Sequence, residues 1–277
     1  MQKLVLAVGT GRDGTTTLHT AISDIFSSNG HSGHCTHQKD HVELYNLFCR
    51  FRERQDDADQ KSMLDIIGRW NVGDAIVGNG YAHYMEMIRD VLGDNLKFIH
   101  LRRDRSAFIP SFMGNIQTFP WSHGNYSGHP SPALFRVAAF HYGEMDEANW
   151  RKLPLSEKVA WYYDKTHARL DEASAWFSES MDLQTEDLSK EETMRTLTEF
   201  IDPDWTTFPK PRRVNVSQID YASLSDEESV VAQRFYSQFD YVRSALRPTT
   251  GADFFHSRVL EGYKQRAQFS HSIVTPD

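Results

Sequence analysis

The sequence predicts an α/β fold of three layers, a parallel sheet flanked by helices, organised as one domain over residues 1–277. Three stretches lead there. A short apolar run closes on a glycine-rich turn that opens a helix, a second strand-to-helix unit lies near residues 75–92, and a third follows at residues 97–113. Repeated strand-to-helix alternation implies parallel strands covered by helices, with ligands at the carboxyl ends of the strands.

The elements follow in order. Lys3 to Val8 is rich in strand formers and reads as a buried strand. Beyond Gly9–Gly14, Leu18, Ile22, Ile25 and Phe26 recur at helical spacing, so a helix is expected from about Thr16. Ala75 to Val77, the turn Gly78-Asn79-Gly80 and the apolar positions Tyr84, Met87, Ile88, Val91 and Leu92 make the second unit. Lys97 to Leu101 is the third strand, followed by a charged turn (Arg102 to Arg105) and a helix over Ser106–Met113 with Pro110 in or near its first turn. Residues Gln117 to Pro132 lose all periodicity and read as a long loop, either a lid or acceptor loop over the site or a plain surface excursion. A long helix is expected over Ser156–Phe177, a strand over Met181–Thr185 and a short helix over Glu191–Ile201. Two more helices are expected over Ser225–Leu246 and Ala252–Phe269.

Composition narrows the function classes. The chain has 277 residues, 39% hydrophobic, with 30 Lys+Arg against 38 Asp+Glu for a formal charge of −8, which disfavours a general nucleic-acid binder but leaves room for a local anion pocket. No run approaches the roughly 18–20 apolar residues that a membrane-spanning helix needs. The only cysteines, Cys35 and Cys49, argue for reduced thiols and a cytoplasmic protein rather than a disulfide-built scaffold.

The segment Gly9-Thr10-Gly11-Arg12-Asp13-Gly14-Thr15-Thr16-Thr17 carries the chemistry. As a G-x-G-x-x-G dinucleotide fingerprint it lacks the acidic residue expected about 20 residues on, since Gly30 to Gln38 contains no carboxylate. As G-x-x-x-x-G-K-[ST] it has Gly9, Gly14 and Thr16 in register, but Thr15 stands at the lysine position. A cradle of backbone N–H groups at a helix N-terminus survives that change. The cation has moved to Arg12, and three hydroxyls follow Gly14. Such a loop suits an anion with less charge to neutralise than a nucleoside triphosphate and no metal to hold; a sulfuryl group fits. A bare connecting turn with a threonine N-cap is the plainer alternative.

At these residues the chain resembles the sulfotransferase family that uses PAPS (3′-phosphoadenosine 5′-phosphosulfate), in its bacterial and Golgi-type branch, a P-loop NTPase-like fold. Gly11-Arg12-Asp13-Gly14-Thr15-Thr16-Thr17-Leu18 is similar to the family's 5′-phosphosulfate loop, with Asp13 in place of a serine or similar small residue. Phe98 to Ser111 is similar to the strand and helix whose arginine and serine, eight residues apart, hold the 3′-phosphate; here these are Arg103 and Ser111. Leu183 to Leu188 resembles a family strand end of structural role, and Arg212 to Ser217, with Arg213 and Asn215, resembles a segment that approaches the cofactor.

The resemblance implies a single sulfotransferase domain that moves a sulfuryl group in line from PAPS to a hydroxyl or amine, leaving PAP (adenosine 3′,5′-bisphosphate). Gly11, Gly14, Thr15, Thr16 and Thr17 would hold the phosphosulfate, while Arg12 neutralises charge on the departing 5′-phosphate without a metal. The partner is a small-molecule, carbohydrate or lipid acceptor, not nucleic acid. An acceptor alcohol needs a base, which family members place roughly two dozen residues past the loop. Here that region runs from His31 to His41 without a glutamate, which leaves His37 first, His34 second and Glu43 third. His31, His34, Cys35, His37 and His41 form one clump with no distant second ligand pair, which disfavours zinc. A magnesium-dependent P-loop kinase and a non-catalytic PAP-binding relative are the competing readings. Trp161, Tyr162, Tyr163 and Trp176 read as core rather than substrate box.

Overall fold

The computed structural model describes residues 3–118, 123–127 and 136–211. It divides into two units: residues 1–114 with 136–215, and residues 115–135 with 216–277. The first holds the sheet.

Five parallel strands, β1 (Leu4–Gly9), β2 (Cys35–His37), β3 (Ala75–Asn79), β4 (Leu96–Arg102) and β5 (Ser180–Gln184), lie in the order β2-β3-β1-β4-β5. β1 is central and buried throughout, as its unbroken apolar run requires of a strand covered on both faces. Its register with β3 runs from Val5↔Ala75 to Gly9↔Asn79, and with β4 from Leu4↔Leu96 to Val8↔His100. The chain leaves β1 outward to β2, returns to β3 and then crosses over β1 to β4. That reversal makes the carboxyl end of β1 a topological switch point, where ligands bind in such sheets.

Helices cover both faces. Alternation along β1 and β4 sends Val5, Ala7, Ile99 and Leu101 toward α1 (Thr15–Ser28) and α9 (Glu191–Ile201), whose Leu18, Ile22, Ile25, Met194 and Leu197 complete one core. Phe98 and His100 point the other way, to Phe177 and to His167 of α8 (Leu155–Ser174). α4 (Met85–Leu92), entered through a 3₁₀ turn over Tyr81–Tyr84, packs with α8 on that second face. α2 (His41–Arg54) and α3 (Asp57–Ile67) pack on each other in the β2-to-β3 connection, and α7 (Glu147–Lys152) precedes α8.

Several sequence readings need adjustment. α5 begins at Arg105 and runs to Thr118, so Pro110 lies inside the helix beyond its first turn, and the helix enters the stretch read as a loop. β3 extends through Gly78 and Asn79, because the register with β1 continues to Gly9. β2, α2 and α3 were not read from the sequence at all. In the second unit, α6 (Gly124–Ser127) follows His123, whose Nε2 lies 2.7 Å from Asn115 Oδ1. The helices expected over Ser225–Leu246 and Ala252–Phe269 lie outside the described residues. Among the described residues no helix is long and apolar enough to cross a membrane.

Candidate functional site

The loop between β1 and α1 sits at this switch point, and its glycines are there for space and backbone shape. Gly11 (φ 100°) and Gly14 (φ 84°) adopt left-handed conformations that side chains resist. A Cβ on Gly11 would fall 1.9 Å from Asn79 Nδ2, and one on Gly14 would fall 2.8 Å from Thr185 Cγ2. Gly14, rather than a threonine, is the N-cap of α1, and no side chain caps the helix from that position. Thr15 and Thr17 are buried in the first turn and Thr16 is half-buried.

Asp13, the departure from the family pattern, is fully buried. Its carboxylate accepts the Thr10 N–H, the Gly11 N–H at 3.1 Å and the Thr10 hydroxyl at 3.1 Å. It turns back over Gly9, where a Cβ would collide with it. Burial pushes its pKa up, against the pull of those hydrogen bonds.

The second sequence segment meets this loop directly. Arg103, just past β4, donates from Nη1 to the Arg12 carbonyl at 2.6 Å and lies 3.5 Å from Ser111 Oγ on α5. Tyr163 of α8 donates to the Arg103 carbonyl at 2.6 Å. Thr185, past β5, donates its hydroxyl toward both the Asp13 carbonyl and the Arg102 carbonyl, joining the ends of β1, β4 and β5. Tyr162 donates to the Thr10 carbonyl at 3.2 Å and receives a hydrogen bond from Arg136 Nη1 at 3.1 Å. The buried Arg136 guanidinium also lies 4.9 Å from the Phe112 ring centre, one residue past Ser111.

The base candidates separate in space. β2 is only three residues long, so His37 reaches its carboxyl end while His34 stays at the amino end, exposed, its N–H bonded to Asp74 Oδ1 at 2.9 Å. That is the amino end of the sheet, opposite the end that carries the loop. His37 faces α1, its ring centre 5.5 Å from that of His19, and burial holds its pKa down to about 3. Glu43 is exposed on the first turn of α2. The turn between β2 and α2 is strained: Gln38 (φ 57°) and Asp40 (φ 53°) are left-handed without being glycine, and Tyr81 OH ties down the Lys39 carbonyl at 2.5 Å. His41 follows it, buried, with rings of Tyr45 and Tyr81 against it. Burial, and then the charge of Arg136, lower its pKa to about 3.

Among the described residues no group of three His, Cys, Asp or Glu converges as a metal site. His31, for one, spends Nε2 on the Gly73 carbonyl at 2.7 Å. Arg212, Arg213 and Asn215 lie outside the described residues. Asn79, Arg136, Tyr162 and Thr185 join the loop and its neighbours without being expected there from the sequence. Asn79 had a signal, a polar residue between two glycines at a strand end; Arg136 had none, because it follows an aperiodic stretch.

No family model matches the sequence, and no curated protein matches it. Among solved structures, the chain is similar to the sulfotransferase domain of the Synechococcus PCC 7002 olefin synthase, with a TM-score of 0.37 and 11% identity, over 73% of this chain and 74% of that one.

Proposed function

We propose that the chain is a PAPS-dependent sulfotransferase that transfers a sulfuryl group to a hydroxyl or amine of a small-molecule, carbohydrate or lipid acceptor in the cytoplasm. The observation that carries this reading is the Arg103 guanidinium, which joins the Arg12 carbonyl of the first loop to the Ser111 hydroxyl. Two anion-binding segments 91 residues apart in sequence thereby become one surface at the carboxyl ends of β1 and β4. A doubly phosphorylated adenosine needs such a pair.

The residues fit the donor. α1 starts on a glycine, which itself offers no side-chain cap to the first N–H groups, and the Asp13 carboxylate is engaged by the Thr10 and Gly11 N–H groups. Bound there, PAPS supplies an activated sulfuryl group. The α1 N-terminus and the hydroxyls of Thr15, Thr16 and Thr17 would hold its 5′ end, Arg12 would offset charge on the leaving phosphate, and Arg103 with Ser111 would take the 3′-phosphate. Thr15 at the lysine position favours sulfuryl over phosphoryl transfer.

Calorimetry with adenosine 3′,5′-bisphosphate tests the reading. Loss of a charge-assisted phosphate contact in Arg103→Ala should weaken binding by roughly 10- to 100-fold, about 1.5–3 kcal/mol. Arg12→Ala should lower turnover more than affinity, which separates an enzyme from a mere binder. Chelation of divalent metal should leave turnover intact. A chain that ignores this nucleotide, or binds ATP and stops on chelation, is not a sulfotransferase.

A further inference from the structure

We propose that His41 is the base that takes the proton of the acceptor, with Asn79 as its positioning residue. The inference rests on the sulfotransferase reading above. It starts from two buried atoms: His41 Nδ1 and Asn79 Oδ1 have no hydrogen-bond partner among the described residues, and the two residues are only 5% and 2% exposed. The Asn79 main-chain carbonyl also acts on the His41 ring, favouring a proton on it. With Nδ1 orphaned, Nε2 is the nitrogen left to give its N–H to that carbonyl, a tautomer in which Nδ1 carries a lone pair. Both orphaned atoms are then acceptors. Buried acceptors are costly unless a donor meets them, and an alcohol or amine of a sulfuryl acceptor brings such donors.

Their position suits the reaction. Asn79 lies opposite Gly9 in the β1–β3 register, and its amide packs on Gly11, so His41 is tied through Asn79 to the loop proposed to hold the sulfuryl donor. A second route runs from Arg136, whose charge His41 feels, through Tyr162 to the Thr10 carbonyl. His37 faces the other side of the sheet, toward α1, and Glu43 is turned to solvent. Gly80 is part of the arrangement, because a Cβ there would press within 2.8 Å of His41 Cε1. The imidazole is neutral in the free protein, as a base must be. An anionic donor opposes the Arg136 charge and raises basicity when it is needed.

In the step itself the acceptor oxygen forms a bond to sulfur while the bond from sulfur to the bridging oxygen breaks, and that electron pair leaves with adenosine 3′,5′-bisphosphate. The acceptor proton passes to His41 Nδ1, and the resulting imidazolium later returns it to water.

Two measurements test the proposal, and neither needs the natural acceptor. Nitrogen-15 NMR of imidazole-labelled wild-type protein with adenosine 3′,5′-bisphosphate should show His41 as the Nε2–H tautomer with an unprotonated Nδ1. In His41→Gln, whose amide can still donate to the Asn79 carbonyl, sulfate release from PAPS to water should fall roughly 100-fold, as loss of a general base does. Affinity for the nucleotide should stay within about twofold. A proton on Nδ1, or unchanged sulfate release from a folded variant, overturns the role of His41 while leaving the sulfotransferase reading intact. Failure of the wild type to bind the nucleotide overturns both. Should His41→Gln not fold, the tautomer seen in the wild type decides alone.

Discussion

Asp13 shows how one side chain can look harmful in a sequence and be structural in the fold. A carboxylate inside a loop proposed to hold an anion should repel the ligand, yet this one is consumed by the Thr10 and Gly11 amides on the strand side of the loop. Asp13→Asn puts an NH₂ donor against those N–H groups, and Asp13→Ala leaves them buried without an acceptor. Each should cost about 1–3 kcal/mol of stability, read as a fall in the urea midpoint at unchanged slope. Nucleotide affinity should fall or hold as the loop loosens. If Asp13→Asn instead binds adenosine 3′,5′-bisphosphate more tightly, the carboxylate faces the anion and its assignment as an internal strut is wrong.

At the scale of elements, the loop works only because three strand ends close on it. Thr185 presses on Gly14 and Asn79 on Gly11, so an alanine at either glycine meets both a left-handed backbone and an occupied space. Gly11→Ala and Gly14→Ala should each cost at least about 1–2 kcal/mol. Nucleotide affinity should fall more for either variant than for an alanine at Gly30, where a Cβ meets nothing within 4 Å. Equal affinities in calorimetry would mean the loop tolerates movement. What the sequence revealed of these elements follows from which of them carry their own signal. β1 with α1, and β4 with α5, announce themselves through an apolar run, a punctuating turn and helical spacing, all local. β2 is three residues, Cys35-Thr36-His37, at the edge of the sheet, too short and polar to show a period. Without it, α2 and α3 had no frame, and His34 could be taken for a neighbour of His37. Arg103 with Ser111 was singled out by the resemblance to a family pattern of an arginine and a serine eight residues apart, and the two side chains lie 3.5 Å apart. The contacts of Tyr162, Thr185 and Arg136 with the loop or its neighbours were not, because each is made by chain far away in sequence.

Across the whole molecule, the same burial that shapes the site makes stability depend on acidity. His37, His41 and His83 are each held neutral, their pKa values lowered to about 3 chiefly by burial. His100 and His167, joined at 2.8 Å behind β4, are lowered to about 2 and about 4. In the unfolded chain these groups return to about 6.5. Between the folded and unfolded values the unfolded state holds more protons, so stability rises with pH there and falls on acidification. The window opens just below pH 6.5 and extends toward pH 4 and lower. Each histidine that stays neutral in the fold contributes a slope of about 1.4 kcal/mol per pH unit once its unfolded form is fully protonated. Asp13, raised by burial, works in the opposite direction, losing stability as pH rises through its folded value, and only partly offsets them at the acid end. The urea midpoint should therefore hold steady from pH 8 to 7 and drop steeply from pH 6 to 5, with loss of the near-ultraviolet signal of the aromatic cluster around Tyr45, Tyr81 and His83. Replacing His83 by Gln should shallow that slope by about one proton's worth. A midpoint that stays level down to pH 5 would mean that these imidazoles are open to solvent and titrate normally.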